Sequence, residues 1–333
     1  MSEVLDGARQ RFLALARREP AATALEAIRE EGRAAFAEQG LPGTHLEEWR
    51  YTNVAPLASV EWASASGALA VARSALEAAA TPVFACGLET FVDGRHHAEL
   101  DGSQRADEVQ ELAEAKAAPA ALGSLADAKR HPFVALNGAL AEDGAAIRLE
   151  GDDPRAIHLV FAEATADVAS HPRVVIETAP GARGTLIVDH VSLGRARHYS
   201  NAVIEVQVGE NASVDLIVLQ RTNAASFHTG HLAGRVERDG RLRTHVLTLG
   251  GCFVRNDLQV TLAGEGAECV MNGLYLGSGD QLIDNHTWVD HAVPHGRSEE
   301  LYKGVLGGRS KGVFRGRVMV RPDAQKTDAR QSN

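Results

Sequence analysis

The sequence predicts a mainly β protein: a β-solenoid (β-helix) core preceded by a helical N-terminal domain, with a β-sandwich as the competing architecture. Three observations predict it. From about Ile147 the hydrophobic period changes from helical to two. Strand starts then recur every 10–15 residues with no helical pattern between them, which excludes a doubly wound α/β sheet. Alternate apolar positions, such as Val206 and Val208 beside Glu205 and Gln207, supply the shared interior that stacked coils require. The domains divide at 1–145 and 146–333.

In the N-terminal part, Leu5–Arg18 and Ala21–Gln39 carry apolar residues at helical spacing, with Pro20 as the break and Gly40 as the C-terminal cap. Thr44 and Glu47 have capping-box spacing ahead of a short helix bearing Leu46 and Trp49. Residues 64–80 are Ala-rich and read as helix. Residues 82–100 read as a hairpin turning at Asp93-Gly94, with His96-His97 on the surface. Residues 103–130 read as helix again, ended by His131-Pro132.

The β part follows as Ile157–Phe161, Arg173–Thr178, Thr185–Val191, Ala202–Val208, Ser213–Leu219, Leu242–Leu249, Leu258–Leu262 and Glu268–Leu276. Asp284–Val289, Glu300–Leu306 and Val313–Val320 complete it. Turn signals such as Pro180-Gly181, Asp239-Gly240 and Gly307-Gly308 separate them. Asn201, Asn223, Asn256, Asn272 and Asn285 are read as coil corners, where Asn tolerates left-handed backbone and bonds the next coil.

Composition excludes several functions. The 333 residues carry a net charge of −10 and 5% aromatics, which disfavours a nucleic-acid binder. Residues 1–150 hold 14 basic and 23 acidic side chains, so −9 of that charge sits there. No apolar run spans a membrane, and the start lacks the pattern of a secretory signal. Three spaced cysteines, Cys86, Cys252 and Cys269, form no disulfide framework, and a cytoplasmic location is expected. The chain has no P-loop, no GxSxG, no HExxH and no CxxC.

Chemistry-bearing residues are few. Asp284 and His286 share a strand face and, with His291, offer metal-ligand types; a solvated strand face is the competing reading. Cys252 follows Gly250-Gly251 with Arg255 nearby, but a thiol needs a cation or base to ionise, and structural cysteine is the commoner role. Arg315, Arg317 and Arg321 line one strand face in a terminal stretch of net charge +5. They serve either as charge protecting an edge strand or as a dock for an acidic partner. A β-helix enzyme acting on polysaccharide is the functional alternative, with Asp257, Asp284 and Asp290 as its carboxylates.

Several strings carry a resemblance. They are Glu48-Trp49-Arg50-Tyr51-Thr52, Arg255-Asn-Asp-Leu258, Asp284/Thr287/Val289/His291 with Pro294, Leu301-Tyr302-Lys303, Lys311-Gly-Val-Phe-Arg-Gly-Arg-Val-Met-Val320 and Ala324-Gln-Lys-Thr-Asp-Ala329. In this order they resemble the SufB/SufD family of iron–sulfur cluster assembly proteins, with Leu41-Pro and the Trp49 segment nearer the SufD branch. The resemblance implies a right-handed β-helix after a helical domain, and a non-catalytic scaffold. The implied partners are a SufB-like protein and a SufC-like ABC ATPase. No cofactor is expected to be held stably by the chain alone; the nascent iron–sulfur cluster, and flavin as a further candidate, belong to the complex. Family members continue beyond the Ala324–Ala329 string into a helical C-terminal domain, so the chain is expected to lack the family's docking region and cluster-site residues.

Overall fold

The computed structural model describes residues 2–16, 23–65, 70–81, 86–102 and 108–333. The break at Pro20 and parts of the expected 64–80 helix, 82–100 hairpin and 103–130 helix lie outside them.

The described residues form five α-helices: α1 (Ser2–Ala16), α2 (Glu26–Gln39), α3 (Ala55–Ala58), α4 (Arg73–Ala79) and α5 (Pro132–Leu140). The expected cap of α2 is present: Gly40 has φ 63° and its N–H bonds the Phe36 carbonyl. The Thr44–Glu47 capping box is not. Leu46 occupies the cap of a 3-10 turn, Glu47–Trp49, and no side chain caps it.

No helix forms between 108 and 130 among the described residues; turns replace it, with one short strand. The physical reason is local. Pro119 and Gly123 interrupt the run, and the free N–H groups find carboxylates instead of helical carbonyls. Ala121 N–H bonds Glu177; Gly123, Leu125 and Ala126 N–H all bond Glu205. Helix α5 was not anticipated, because its almost uniformly apolar sequence has no amphipathic stripe. It crosses α2 at two glycines: a Cβ on Gly32 would sit 2.4 Å from Ala139 N, and one on Gly138 2.9 Å from Ile28 O.

The strands, in chain order, are β1 (Cys86–Val92), β2 (Arg95–His96), β3 (Val109–Glu111), β4 (Gly144–Leu149), β5 (Asp152–Glu163), β6 (Ala169–Ser170), β7 (Arg173–Thr178), β8 (Arg183–Ser192) and β9 (Tyr199–Val208). There follow β10 (Ser213–Arg221), β11 (Phe227–Val236), β12 (Arg241–Thr248), β13 (Phe253–Leu262), β14 (Glu268–Gly277), β15 (Leu282–His291), β16 (Arg297–Leu306), β17 (Lys311–Val320) and β18 (Asp328–Ser332). Consecutive long strands alternate between two sheets, one ordered β18-β16-β14-β12-β10-β8-β5-β1-β2 and the other β17-β15-β13-β11-β9-β7-β4-β3. Every pairing between successive coils is parallel. This is a parallel β-solenoid of about six turns, and the antiparallel sandwich is excluded.

The two sheets face each other across one apolar interior, which runs from Ile147 and Leu159 through Val206, Leu216 and Leu242 to Met271 and Val289. All eleven expected strands are present, most of them longer than expected; β7 has the expected bounds and β12 is shifted by one residue. Strand β11 was missed, since Phe227-His-Thr-Gly-His-Leu-Ala-Gly lacks clean alternation. The hairpin turn is as expected: Asp93 (φ 49°) and Gly94 (φ 88°) take the paired positive φ of a type I′ turn.

The asparagine reading needs correction. Asn201, Asn256, Asn272 and Asn285 lie within strands, and only Asn223 lies in a turn. They still bond across coils, as Asn256 Nδ2 donates to Asn285 Oδ1 at 3.0 Å, because parallel in-register strands stack equivalent positions.

Helices α1, α2 and α5 cover one sheet, whereas α4 packs through Leu76 on Val160 and Val191 of the other. Phe12, Phe36, Trp49, Trp62 and Phe133 pack on Tyr199, Phe227 and Phe253, which occupy one register position on successive coils. A second anchor is buried beside them. Arg173 forks onto Glu205 (2.7 and 3.1 Å) and donates to Asn137 of α5 (3.1 Å), while Glu205 also holds the 123–126 loop.

Candidate functional site

Parallel registry assembles the site. Arg255 stands opposite Asp284, Asp257 opposite His286, and His286 opposite Arg315 on the next coil. By strand alternation these side chains share the sheet's outer face, and the segment Glu48–Thr52 lies against it. Arg255 is the hub. Its guanidinium forks onto Asp257 (2.8 and 2.9 Å), donates to Asp284 Oδ2 (2.7 Å) and to the Glu48 carbonyl (2.8 Å), and contacts His286 Nδ1 at 3.1 Å. Its face lies 4.1 Å from the centre of the Trp49 ring. Thr52 Oγ1 donates to Asp284, and His286 Nε2 lies 3.0 Å from Asp284 Oδ1.

The electrostatics follow. Burial would raise the Asp257 pKa, but the charge and hydrogen bonds of Arg255 outweigh it and hold the group at about 2. The same two carboxylates raise Arg255 above its ordinary value against the effect of burial. The arrangement is a closed ion-paired cluster, one guanidinium shared by two carboxylates, that joins the N-terminal segment to two coils. Two of the strings noticed in the sequence, Glu48–Thr52 and Arg255–Leu258, thus meet at one point over 200 residues apart in the chain.

The structure brings Asp284 and His286 together and leaves His291 apart. His291 lies on the opposite, inward face of β15, fully buried, with Nε2 2.9 Å from Ser298 Oγ. The three therefore do not form one ligand set. Cys252 is half-buried; burial pushes its thiol up to about 11, and Arg255 is committed to its carboxylates, so this is not a reactive thiolate. Cys269 is buried in the interior and its thiol is raised by burial.

Arg315, Arg317 and Arg321 share one face and each leans on an earlier element. Arg315 bonds Glu47 (2.8 Å), Arg317 stacks over Trp288 (4.6 Å), and Arg321 forks onto Asp290. The carboxylates of the polysaccharide alternative are accounted for by these pairs. Asp257 and Asp284 are both held by Arg255, and Asp290, further along the same strand as Asp284, is held by Arg321; none is poised as a general acid.

The sequence did not show where the scattered histidines lie: His158, His171, His190, His198, His228 and His231 are all buried. Burial lowers His171 to about 3 and His190 to about 4, so both are neutral. His96 was expected at the surface. Its side chain is 7% exposed, enclosed by Glu89, Asp101 and Glu111. The overlooked signal was Glu89, a carboxylate inside an apolar strand.

A two-sheet parallel solenoid with a helical N-terminal region pinned to its outer face through a buried arginine places the chain among β-solenoid proteins. Residues 160–333 match the SufBD core domain of the SUF system for iron–sulfur cluster assembly, and residues 15–150 match the SufBD protein N-terminal region. The chain belongs to the SufBD family. It is 28% identical over 302 residues to the iron–sulfur cluster assembly protein SufD of Escherichia coli, covering 88% of this chain and 69% of that one. A SufBD family protein of Synechocystis is 26% identical over 319 residues, with the same coverage. One from Mycobacterium leprae is 35% identical over 103 residues, covering 29% of this chain and 26% of that one. A role in iron–sulfur cluster assembly follows from the family. Among the described residues, no helix is long and apolar enough to cross a membrane.

Proposed function

We propose that this chain is a non-catalytic scaffold subunit of iron–sulfur cluster assembly. It pairs through its solenoid with a SufB-like protein and works with a SufC-type ATPase in the cytoplasm. The observation that carries the reading is the outer surface of the last coils. Arg315, Arg317 and Arg321 stand in a row on one sheet, with Met319 and Val320 exposed beside them. On the other sheet Leu301, Val305 and Leu306 are exposed, Val305 at 63%. Cations beside uncovered apolar side chains suit a protein partner with acidic rims. The absence of a P-loop assigns ATP hydrolysis to the partner. The nascent cluster, and flavin if the complex uses it, would be held at the level of the assembly.

Co-expression with a SufB-like chain and a SufC-type ATPase tests this. The expected result is co-purification in one complex, with ATP hydrolysis dependent on the ATPase and none by this chain alone. Turnover of a substrate by the isolated chain, or failure to associate while folded, would contradict it.

A further inference from the structure

The β1–β2 hairpin carries a second polar cluster, distant in sequence from the Arg255 site. The I′ turn pairs His96 with Phe91, and the rings touch at 5.4 Å. Glu89 lies two residues before Phe91, on the same strand face. Asp101 arrives from the 3-10 turn Ala98–Leu100; its Oδ1 accepts the Thr90 N–H at 2.8 Å, which leaves Oδ2 turned toward the imidazole. His96 Nε2 then lies 2.9 Å from Asp101 Oδ2 and 3.3 Å from Glu89 Oε2. On the other side of the ring, Glu111 Oε1 of β3 lies 3.0 Å from Nδ1. Glu89 is fully buried, and the Asp101 and Glu111 side chains are 8% and 13% exposed.

We propose that Glu89, His96 and Asp101 form a binding site for a first-row divalent metal ion. One ligand atom from each lies within 4.8 Å of the others. Ions of this class bind imidazole nitrogen and carboxylate oxygen at about 2.0–2.2 Å, so ligands at right angles stand about 3 Å apart. The two separations from Nε2 are close to that value. Glu111 behind Nδ1 completes the carboxylate–histidine arrangement that fixes the tautomer of a metal-bound imidazole and directs Nε2 at the ion. The imidazole nitrogen favours zinc or iron(II) over calcium or magnesium, while the two carboxylates also admit manganese(II).

A proton competes for the same place. One N–H on Nε2 can point well at only one oxygen, whereas a metal ion bonds both. Metal binding therefore releases a proton and tightens as pH rises.

The intact chain, stripped with a chelator, is titrated with zinc(II) by calorimetry in buffers of different ionisation enthalpy, and with manganese(II) by electron paramagnetic resonance. The expected result is one equivalent bound at micromolar or tighter affinity, with about one proton released per zinc. Binding should weaken at least tenfold in Glu89→Gln and in Asp101→Asn. Circular dichroism confirms that the variants fold; should one unfold, the parent's proton release and manganese spectrum still decide. No saturable binding, undiminished binding in folded variants, or a His96 that stays protonated by NMR in excess zinc would overturn the site and leave only an ion-paired hairpin.

Discussion

Replacing Arg255 with Met keeps an unbranched apolar stem and removes the guanidinium with its charge. Asp257 and Asp284, now held at 2.7–2.9 Å by the guanidinium, would lose the cation that holds them both. Breaking a buried pair in this way costs about 3–5 kcal/mol. The lost contact with Trp49 adds about 1 kcal/mol. Arg255→Lys should recover only part of this, because one ammonium cannot fork onto Asp257 while also reaching Asp284 and the Glu48 carbonyl. Differential scanning calorimetry should show the midpoint falling by roughly 5–10 °C for Arg255→Met. Hydrogen exchange should localise the loss: protection should drop in residues 47–52 and at the start of β13 before the interior of the solenoid is affected. Asp284→Asn in the Arg255→Met background should cost much less than Asp284→Asn alone, since its partner is already gone. Midpoints within 1 °C of the parent, or additive effects of the two substitutions, would refute the view that this cluster pins the N-terminal segment.

Glu205→Ala should destabilise by about 3–5 kcal/mol, because it strands buried Arg173 and the N–H groups of Gly123, Leu125 and Ala126; exchange in 121–126 should rise sharply in the same variant. Gly32→Ala should cost about 1–3 kcal/mol in urea unfolding, since the new methyl meets the backbone of α5 at 2.4 Å. Glu163 supplies a pH signature. Burial raises its pKa to about 7 despite hydrogen bonds from Ser192 and Ser226, so the folded state binds its proton more tightly than the unfolded chain does. Its contribution is therefore fully present below about pH 4.5 and is lost progressively as pH rises from there through 7. Glu163→Gln should flatten that slope and stabilise by up to about 3 kcal/mol at pH 8, read from urea midpoints across pH.

What could be read beforehand divides by the range of the interaction. The solenoid strands were legible because a shared apolar interior imposes period two on each strand locally, as in Ser213–Arg221. The 103–130 segment was not, because Glu177 and Glu205, more than 50 residues away, satisfy N–H groups that helical spacing alone would assign to a helix. Helix α5 was hidden for the converse reason: buried on nearly every side, it has no polar stripe to reveal its period. In the site, Asp284 and His286 could be placed on one face from alternation. Their hub, Arg255, and its cover, Trp49, are brought together only by coil registry and by docking of the N-terminal segment. His291 was misgrouped because it is an odd number of residues from Asp284 and so points inward.

Titration of this chain with a SufB-like protein, followed by biolayer interferometry at 50 and 300 mM salt, tests the scaffold reading most directly. A saturable one-to-one complex is predicted, weakened by salt, and weakened at least tenfold by the combined Arg315→Glu, Arg317→Glu and Arg321→Glu substitutions in a folded variant. No complex with the folded parent, or an affinity indifferent to all three reversals, would contradict it.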